Sequence, residues 1–237
     1  MKKLYVIMLP LMILSLVGCK KDEVKYTEIE DVSSYYTEEN KAAAKLAANE
    51  LNIGILSASQ VGPGMKYTFK RSIDYNYVYE YSKMVMDGVK TVGKALYLAN
   101  FDNPALAVKY YVEVVGKEKS QELKTGESVN TDYTSDLNTL RSIIIENIDE
   151  PLSLAKTYIG SDPIDLHWYK GSDGTLKVTC VNEDKTVKAS TIVYADTLFV
   201  KKVTIKLADI EATLTQGVSY PTEIKHLTDK DIGYEID

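Results

Sequence analysis

The chain has few of the residues that most often carry chemistry. Its 237 residues include two cysteines, Cys19 and Cys180, two histidines, His167 and His226, and one tryptophan. The histidines do not form a metal-ligand spacing such as H-x-x-x-H. The glycine-containing stretch "GSDG" lacks the lysine and the following helix of a phosphate-binding loop. These absences predict a protein that is not an enzyme, binds no metal and needs no cofactor.

Positive charge is outnumbered by negative charge, with 28 Lys and Arg against 34 Asp and Glu. The formal net charge is −6, and removing residues 1–18, whose only charges are Lys2 and Lys3, lowers it to −8. Nucleic acid recognition needs a basic surface, so the balance predicts that nucleic acid is not a partner. It also argues against electrostatic attraction to anionic lipid, so attachment to a membrane would need a covalent anchor.

The apolar run at the N-terminus is too short to span a bilayer. It extends over Leu4–Leu16, interrupted by Pro10 and Ser15, whereas a spanning helix needs about 20 apolar residues. Two lysines precede the run and small residues follow it, which is typical of a secretory signal peptide. Residues 1–18 are therefore predicted to be a signal peptide.

The next residues explain why one of the two cysteines follows this run. Leu16-Val17-Gly18-Cys19 resembles the lipobox of bacterial lipoproteins at all four positions. The resemblance implies cleavage before Cys19 and acylation of Cys19, so that the chain contacts a membrane through this anchor. Several acyl chains, at about 0.8 kcal/mol per buried methylene, give stable attachment. Lys20 stands where an aspartate would favour the inner membrane, which implies the outer membrane of a bacterial cell envelope. The alternative is an ordinary signal peptide followed by a coincidental cysteine.

Cys180 would have no disulfide partner if Cys19 is acylated. It lies in "TLKVTCVN", where apolar and polar residues alternate, so we expect a buried, unpaired thiol that packs as a small apolar side chain. A reactive thiol is the alternative. It would require a polarising neighbour, and none is adjacent in the sequence.

Sequence periodicity predicts an α+β fold in which a helical N-terminal half packs on a C-terminal antiparallel β-meander. Residues 19–36 are predicted to form a tether, residues 37–160 a mainly helical region, and residues 161–237 a sheet in the same domain as the helices. Predicted helices cover residues 37–52, 77–99, 104–116, 135–150 and 152–160. Strands with short hairpin turns follow Pro163, with a bulge near Lys201-Lys202 and another hairpin around Gln216-Gly217.

The stretch "DYNYVYEYS" allows two interpretations. As a strand, Tyr75, Tyr77, Tyr79 and Tyr81 would share one face and could form an aromatic binding platform. As a helix, they would divide between core and surface. Val85, Val89 and other apolar residues downstream recur at helical spacing, so the helix is the preferred prediction.

Two functions are compatible with these features. The first is a non-enzymatic structural or interaction module of the cell envelope, with a possible protein partner there. The second is a module that binds a lipid or a small apolar ligand. For the second, the C-terminal meander with "GVSYPTEIKHL" resembles the curved sheets of periplasmic lipoprotein carriers. That resemblance covers the last 75 residues at most, and the predicted helical half differs from those carriers, which begin with a sheet.

Overall fold

The computed structural model describes residues 23–159 and 162–236. Cys19 and the predicted signal peptide lie outside these residues. The described chain is dominated by one antiparallel sheet of 12 strands in the order β1-β8-β9-β10-β11-β12-β2-β3-β4-β5-β6-β7. Most neighbours in this order are consecutive strands joined by turns or short loops. The exceptions are β1 beside β8 and β2 beside β12.

The strands divide into two meanders that meet where β2 pairs with β12. The first meander comprises β2 (Gly54–Gly62), β3 (Met65–Asp74), β4 (Tyr77–Met86), β5 (Val89–Leu98), β6 (Val108–Val115) and β7 (Glu118–Thr125). The second comprises β8 (Ile164–Gly171), β9 (Thr175–Val181), β10 (Val187–Tyr194), β11 (Val200–Leu207) and β12 (Ala212–Ser219). The short β1 (Tyr26–Ile29), inside the predicted tether, pairs with β8 at one edge.

In the described residues, four α-helices accompany the sheet. They are α1 (Glu38–Glu50), α2 (Glu127–Asp149), α3 (Ser153–Ile159) and α4 (Asp229–Ile232), and a 3₁₀ turn covers Pro104–Leu106. Thr37 caps α1 because its hydroxyl accepts the N–H of Asn40 at 3.1 Å, as its position before the glutamates suggests. The predictions of helices near 37–52, 135–150 and 152–160 therefore correspond to α1, α2 and α3.

The predicted fold class is wrong, because residues 54–125 form six strands rather than helices. The predicted helix over 77–99 is the β4–β5 hairpin, and the one over 104–116 is the 3₁₀ turn followed by β6. Asp87 and Gly88 form the β4–β5 turn with φ angles of 50° and 82°. An Asp-Gly pair is a strong hairpin signal because such a turn needs positive φ. The helical spacing of Val85, Val89 and Val92 is a coincidence across this turn.

The second meander agrees better with its prediction. Five antiparallel strands follow Pro163, and the bulge predicted near Lys201-Lys202 is confirmed, because Ile192 pairs with Lys202 while Val193 pairs with Val200. The hairpin predicted around Gln216-Gly217 is wrong, since β12 continues through both residues to Ser219. The hairpin was predicted from the glycine at position 217 alone. In the structure, Gly217 lies within β12 and packs near the Ser57 hydroxyl of β2.

The two faces of the sheet have different surroundings. On one face, here called the inner face, Val178, Ala189, Val203 and Ile205 pack with apolar residues of α2 and α3 in the main core. Leu140 of α2 approaches β2 so closely that a Cβ at Gly54 would lie 2.6 Å from its Cδ2 atom. The opposite face, here called the outer face, carries residues such as Lys202, Thr204 and Lys206. These alternate with the buried ones because successive side chains of a strand point to opposite sides.

Candidate functional site

A cavity of about 190 Å³ opens on the inner face beside α3. It is lined by Ala58, Ser59 and Gln60 of β2, Tyr67 of β3, Tyr158 of α3, Leu214, Thr215 and Gln216 of β12, and Val203 and Ile205 of β11. We call it the apolar cavity. Successive side chains of a strand point to opposite faces, and Ala58, Gln60 and Leu214 all point to the inner face. They therefore lie side by side along the cavity. Small-ligand sites are characteristically concave and apolar with a few polar groups, as here.

Apolar side chains continue along the inner face from the cavity towards the hairpin turns. Met65, Tyr67 and Phe69 occupy alternate positions of β3, and Met84 of β4 pairs with Tyr67. All four are half-buried. A run of partly exposed aromatic and methionine side chains can adapt to an irregular apolar ligand, because methionine is flexible and polarisable. The alternation of apolar and polar residues in "MKYTFKR" is typical of such a strand, but it does not indicate what the apolar side borders.

Next to this apolar surface, five polar side chains of β3–β6 occupy the inner face. This polar cluster comprises Arg71, Glu80, Tyr97, Tyr111 and Glu113. Arg71 forms an ion pair with Glu80, and its guanidinium also lies 5.4 Å from the centre of the Phe69 ring. The cluster therefore adjoins the apolar surface through Phe69.

Hydroxyl groups complete the polar cluster. The Tyr97 hydroxyl donates to Glu80 Oε2 at 3.4 Å, and the Tyr111 hydroxyl donates to Glu113 Oε1 at 2.8 Å. Burial, together with the bond to Glu113, raises the pKa of Tyr111 to about 12, so it remains a neutral donor at physiological pH. The inner face thus places charged and hydrogen-bonding groups at one end of an apolar surface.

The tyrosine run does not form an open platform. Tyr77, Tyr79 and Tyr81 lie on the outer face of β4, which corrects the helical prediction, and Tyr75 lies in the preceding turn, stacked on Phe101 at 4.6 Å. Tyr77 is 1% exposed. Residues 221–236, here called the C-terminal strap, cover it, and Ile232 of the strap packs against Tyr77, Leu96 and Val112.

Polar contacts hold this strap in place. The Tyr77 hydroxyl accepts the Leu227 N–H at 2.9 Å, and burial raises the pKa of Tyr77 to about 12. The Gln121 side chain bonds the backbone of Glu235 in both directions, at 2.8 and 3.1 Å, and Lys119 pairs with the Glu235 carboxylate at 2.9 Å.

The two histidines lie apart and have structural partners. His167 Nδ1 lies 2.6 Å from Glu28 Oε1 and joins β8 to β1. His226 contacts Asp74 and stacks on Tyr77 at 4.5 Å, which fastens the strap. Across residues 23–159 and 162–236, no group of three or more His, Cys, Asp or Glu side chains could hold a metal ion. Within the same residues, no helix combines the length and apolarity needed to cross a membrane.

Cys180 lies in the core, as predicted. It is 2% exposed on the inner face of β9, has no disulfide partner, and burial raises the pKa of its thiol. A thiol is nucleophilic as its thiolate, so both burial and the raised pKa suppress reaction. Cys19, the predicted lipidation site, lies outside the described residues, as do residues 20–22 of the predicted tether.

This burial predicts that Cys180 resists modification in the folded protein. We expect a bulky maleimide to label it only slowly in buffer and completely in denaturant, as measured by intact-mass spectrometry. Ser190→Cys, on the outer face of the neighbouring strand, is the matched control and is expected to react rapidly without denaturant. Rapid native labelling of Cys180 at the rate of this control would contradict the burial.

Comparisons with known proteins find similarity among solved structures. No family model matches the chain, and no curated protein matches it. Among solved structures, a DUF1329 family protein from Desulfovibrio piger is similar at 12% identity and a TM-score of 0.23, over 86% of this chain and 97% of that chain. A TM-score this low carries no argument about fold or function.

Proposed function

We propose that the protein is a non-enzymatic lipoprotein of the bacterial cell envelope, anchored through Cys19 to the outer membrane, and that its folded module binds a lipid or another small apolar ligand. Two roles were compatible with the sequence, a structural or interaction module and a ligand-binding module. The apolar cavity favours the second, because it gives a ligand of that class a place between α3 and the inner face.

The surroundings of the cavity support a ligand with one polar end. The half-buried residues Phe69, Met65 and Met84 extend the apolar contact area beyond the cavity itself. The polar cluster around Arg71 and Glu80 then offers ionic and hydrogen-bonding groups at one end of that area. Burying apolar surface contributes about 25 cal/mol per Å², so most of the binding free energy would come from the apolar part. The polar cluster would fix the orientation of the ligand.

A cavity-filling substitution tests this function. Ala58→Trp places a large ring in the apolar cavity, and we expect binding of a fluorescent fatty acid to weaken by about tenfold or more because the apolar contact area is lost. Ser57→Trp is the matched control, since the neighbouring side chain is exposed on the outer face. It is expected to bind as the unmodified protein does.

A second measurement identifies the native ligand. Lipid extracted from protein purified without added lipid is analysed by mass spectrometry, and we expect a lipid to accompany the unmodified protein and Ser57→Trp but not Ala58→Trp. The proposal fails if no lipid is recovered and both tryptophan variants bind the fatty acid equally well.

A further inference from the structure

Six hydroxyl side chains form a continuous row across the outer face. Each lies directly opposite the next on six neighbouring strands, in the order Thr179, Ser190, Thr204, Thr215, Ser59 and Thr68. With strands about 4.8 Å apart, the row is about 24 Å long. All six residues are half-buried. Thr68 donates to the Lys83 carbonyl at 3.5 Å, and the other five hydroxyls have no side-chain hydrogen bond within the described chain.

Lysines border this row on both sides. Two positions away along the strands, Lys188, Lys206, Lys66 and Lys90 lie on one side, and Lys177, Lys202, Lys70 and Lys94 lie on the other. Lys83 extends the hydroxyl row itself on β4. We call the hydroxyl row and these nine lysines the polar track. Successive positions on one face of a strand are about 6.7 Å apart, so both lysine rows lie within reach of a chain that follows the hydroxyls.

The lysines of the polar track lack ion-pair partners among the described residues. Lys177 lies over the rings of Tyr26 and Tyr169, at 5.2 and 5.7 Å, and none of the nine lysines forms an ion pair with the residues that the structure describes. By the strand pairing, Glu28 and Asp74 are the acidic strand residues of the outer face, each at the margin of the track and in contact with a histidine. The C-terminal strap adds Glu223, Asp229, Asp231 and Glu235 beside the β4–β6 end of this face, where Glu235 lines a pocket with Lys94. Although the whole chain is acidic, the part of the outer face formed by β9–β11, β2 and β3 is rich in lysine.

The track also includes a depression. A cavity of about 350 Å³ lies on the outer face of β8–β11. Thr179, Ser190 and Thr204 lie along it, and Lys177, Lys188 and Lys206 surround them. Asp165 at the rim lies 3.7 Å from Lys185, so part of its charge is compensated. Positive charge around a depression concentrates anionic groups there.

We propose that the polar track binds a linear anionic polysaccharide whose sugars carry carboxylate groups. Nine lysines held on one face repel one another, and an anionic chain relieves this repulsion. Ammonium groups on both sides form charge-assisted hydrogen bonds to carboxylates, while the free hydroxyls between them suit the hydroxyl-rich body of a sugar polymer. This site lies on the opposite face from the apolar cavity and does not depend on the function proposed for it.

Two other anionic partners fit the track less well. Single-stranded nucleic acid is bound through aromatic rings on which bases stack, and the hydroxyl row contains none. A membrane surface is bound by apolar side chains that enter the bilayer, flanked by basic residues, whereas the centre of this track is polar. The row geometry therefore favours a polymer that lies across the strands and forms hydrogen bonds along its length.

The test measures binding of polygalacturonate to the full chain, with neutral dextran as the uncharged polymer. Lys188→Glu with Lys206→Glu is expected to weaken binding by about tenfold or more, because two favourable charges become unfavourable. The control, Lys117→Glu with Lys230→Glu, changes the net charge equally at exposed residues outside the track and is expected to bind nearly as the unmodified protein does. A thermal melt of each variant checks that folding is unchanged.

Neutral substitutions separate a polysaccharide from other polyanions. Ser190→Ala with Thr204→Val and Thr215→Val leaves every charge in place, and we expect a several-fold loss of polygalacturonate binding while binding to single-stranded DNA and to phosphatidylglycerol vesicles is unchanged. The proposal is overturned if the hydroxyl variant binds polygalacturonate normally, if both lysine pairs weaken binding equally, or if DNA or vesicles bind more tightly than polygalacturonate.

Discussion

Replacing Ile205 with lysine is expected to unfold the protein, whereas the same replacement at the adjacent Thr204 is expected to leave it folded. Ile205 is 2% exposed and packs in the main core between the sheet and the helices, while Thr204 points to the outer face. A lysine ammonium buried without a partner costs about 4 kcal/mol or more. Native domains are stable by only about 5–15 kcal/mol in total.

Urea denaturation followed by circular dichroism measures this difference. We expect Ile205→Lys to lack a folded baseline at ambient temperature, and Thr204→Lys to keep the free energy of unfolding within about 1 kcal/mol of the unmodified value, as surface substitutions usually do. Ile205→Val, which removes one buried methylene, is expected to cost about 1 kcal/mol and to remain folded. Equal losses at Ile205 and Thr204 would show that both faces of the sheet are covered.

Replacing Cys19 with alanine is expected to abolish membrane attachment. The proposed anchor is acylation of this one thiol, and the helices of the described part offer no span that could replace it. Several acyl chains contribute about 0.8 kcal/mol for each buried methylene, so their loss removes nearly all affinity for the bilayer. The variant should move entirely from the detergent-rich phase to the aqueous phase in a detergent phase separation.

Metabolic labelling with a fatty acid gives the matching chemical measurement. Label should enter the unmodified protein and Cys180→Ala, which loses only a buried thiol, but not Cys19→Ala. Retention of Cys19→Ala in the detergent phase without label would mean that another surface binds the membrane. Incorporation of label into Cys19→Ala would contradict the assignment of the anchor.

The sequence predicted local features better than it predicted the fold class. Strong periodic segments with unambiguous caps, such as α1 after Thr37, were predicted correctly. The error lay in residues 77–116, where valines and tyrosines are common in strands but also fell at helical intervals. The Asp87-Gly88 pair is the sequence signal that indicates a hairpin here, because a two-residue hairpin turn needs positive φ and both residues have it.

The candidate sites were harder to predict because both depend on strand order. Ala58 and Leu214 line the same cavity only because β2 pairs with β12, and no local pattern in the sequence specifies that pairing. The hydroxyl row has the same origin, since its members come from six strands. The overall net charge of −6 also gave no indication that nine lysines lie together on one face of the sheet.

The pairing of β2 with β12 also determines how the chain can fold. Ser57 and Gly217, opposite one another in this pairing, are 160 positions apart, whereas the hairpins within each meander bring together near neighbours. Long loops are entropically costly to close, so the two meanders can form early and their union is the slow, non-local step. Until that union, β2 and β12 are unpaired edges that can recruit another chain. The completed sheet ends instead at the four-residue β1 and at β7, whose Lys119, Glu122 and Lys124 discourage such pairing. Self-association is therefore expected at an unpaired β2 or β12 rather than at the edges of the completed sheet.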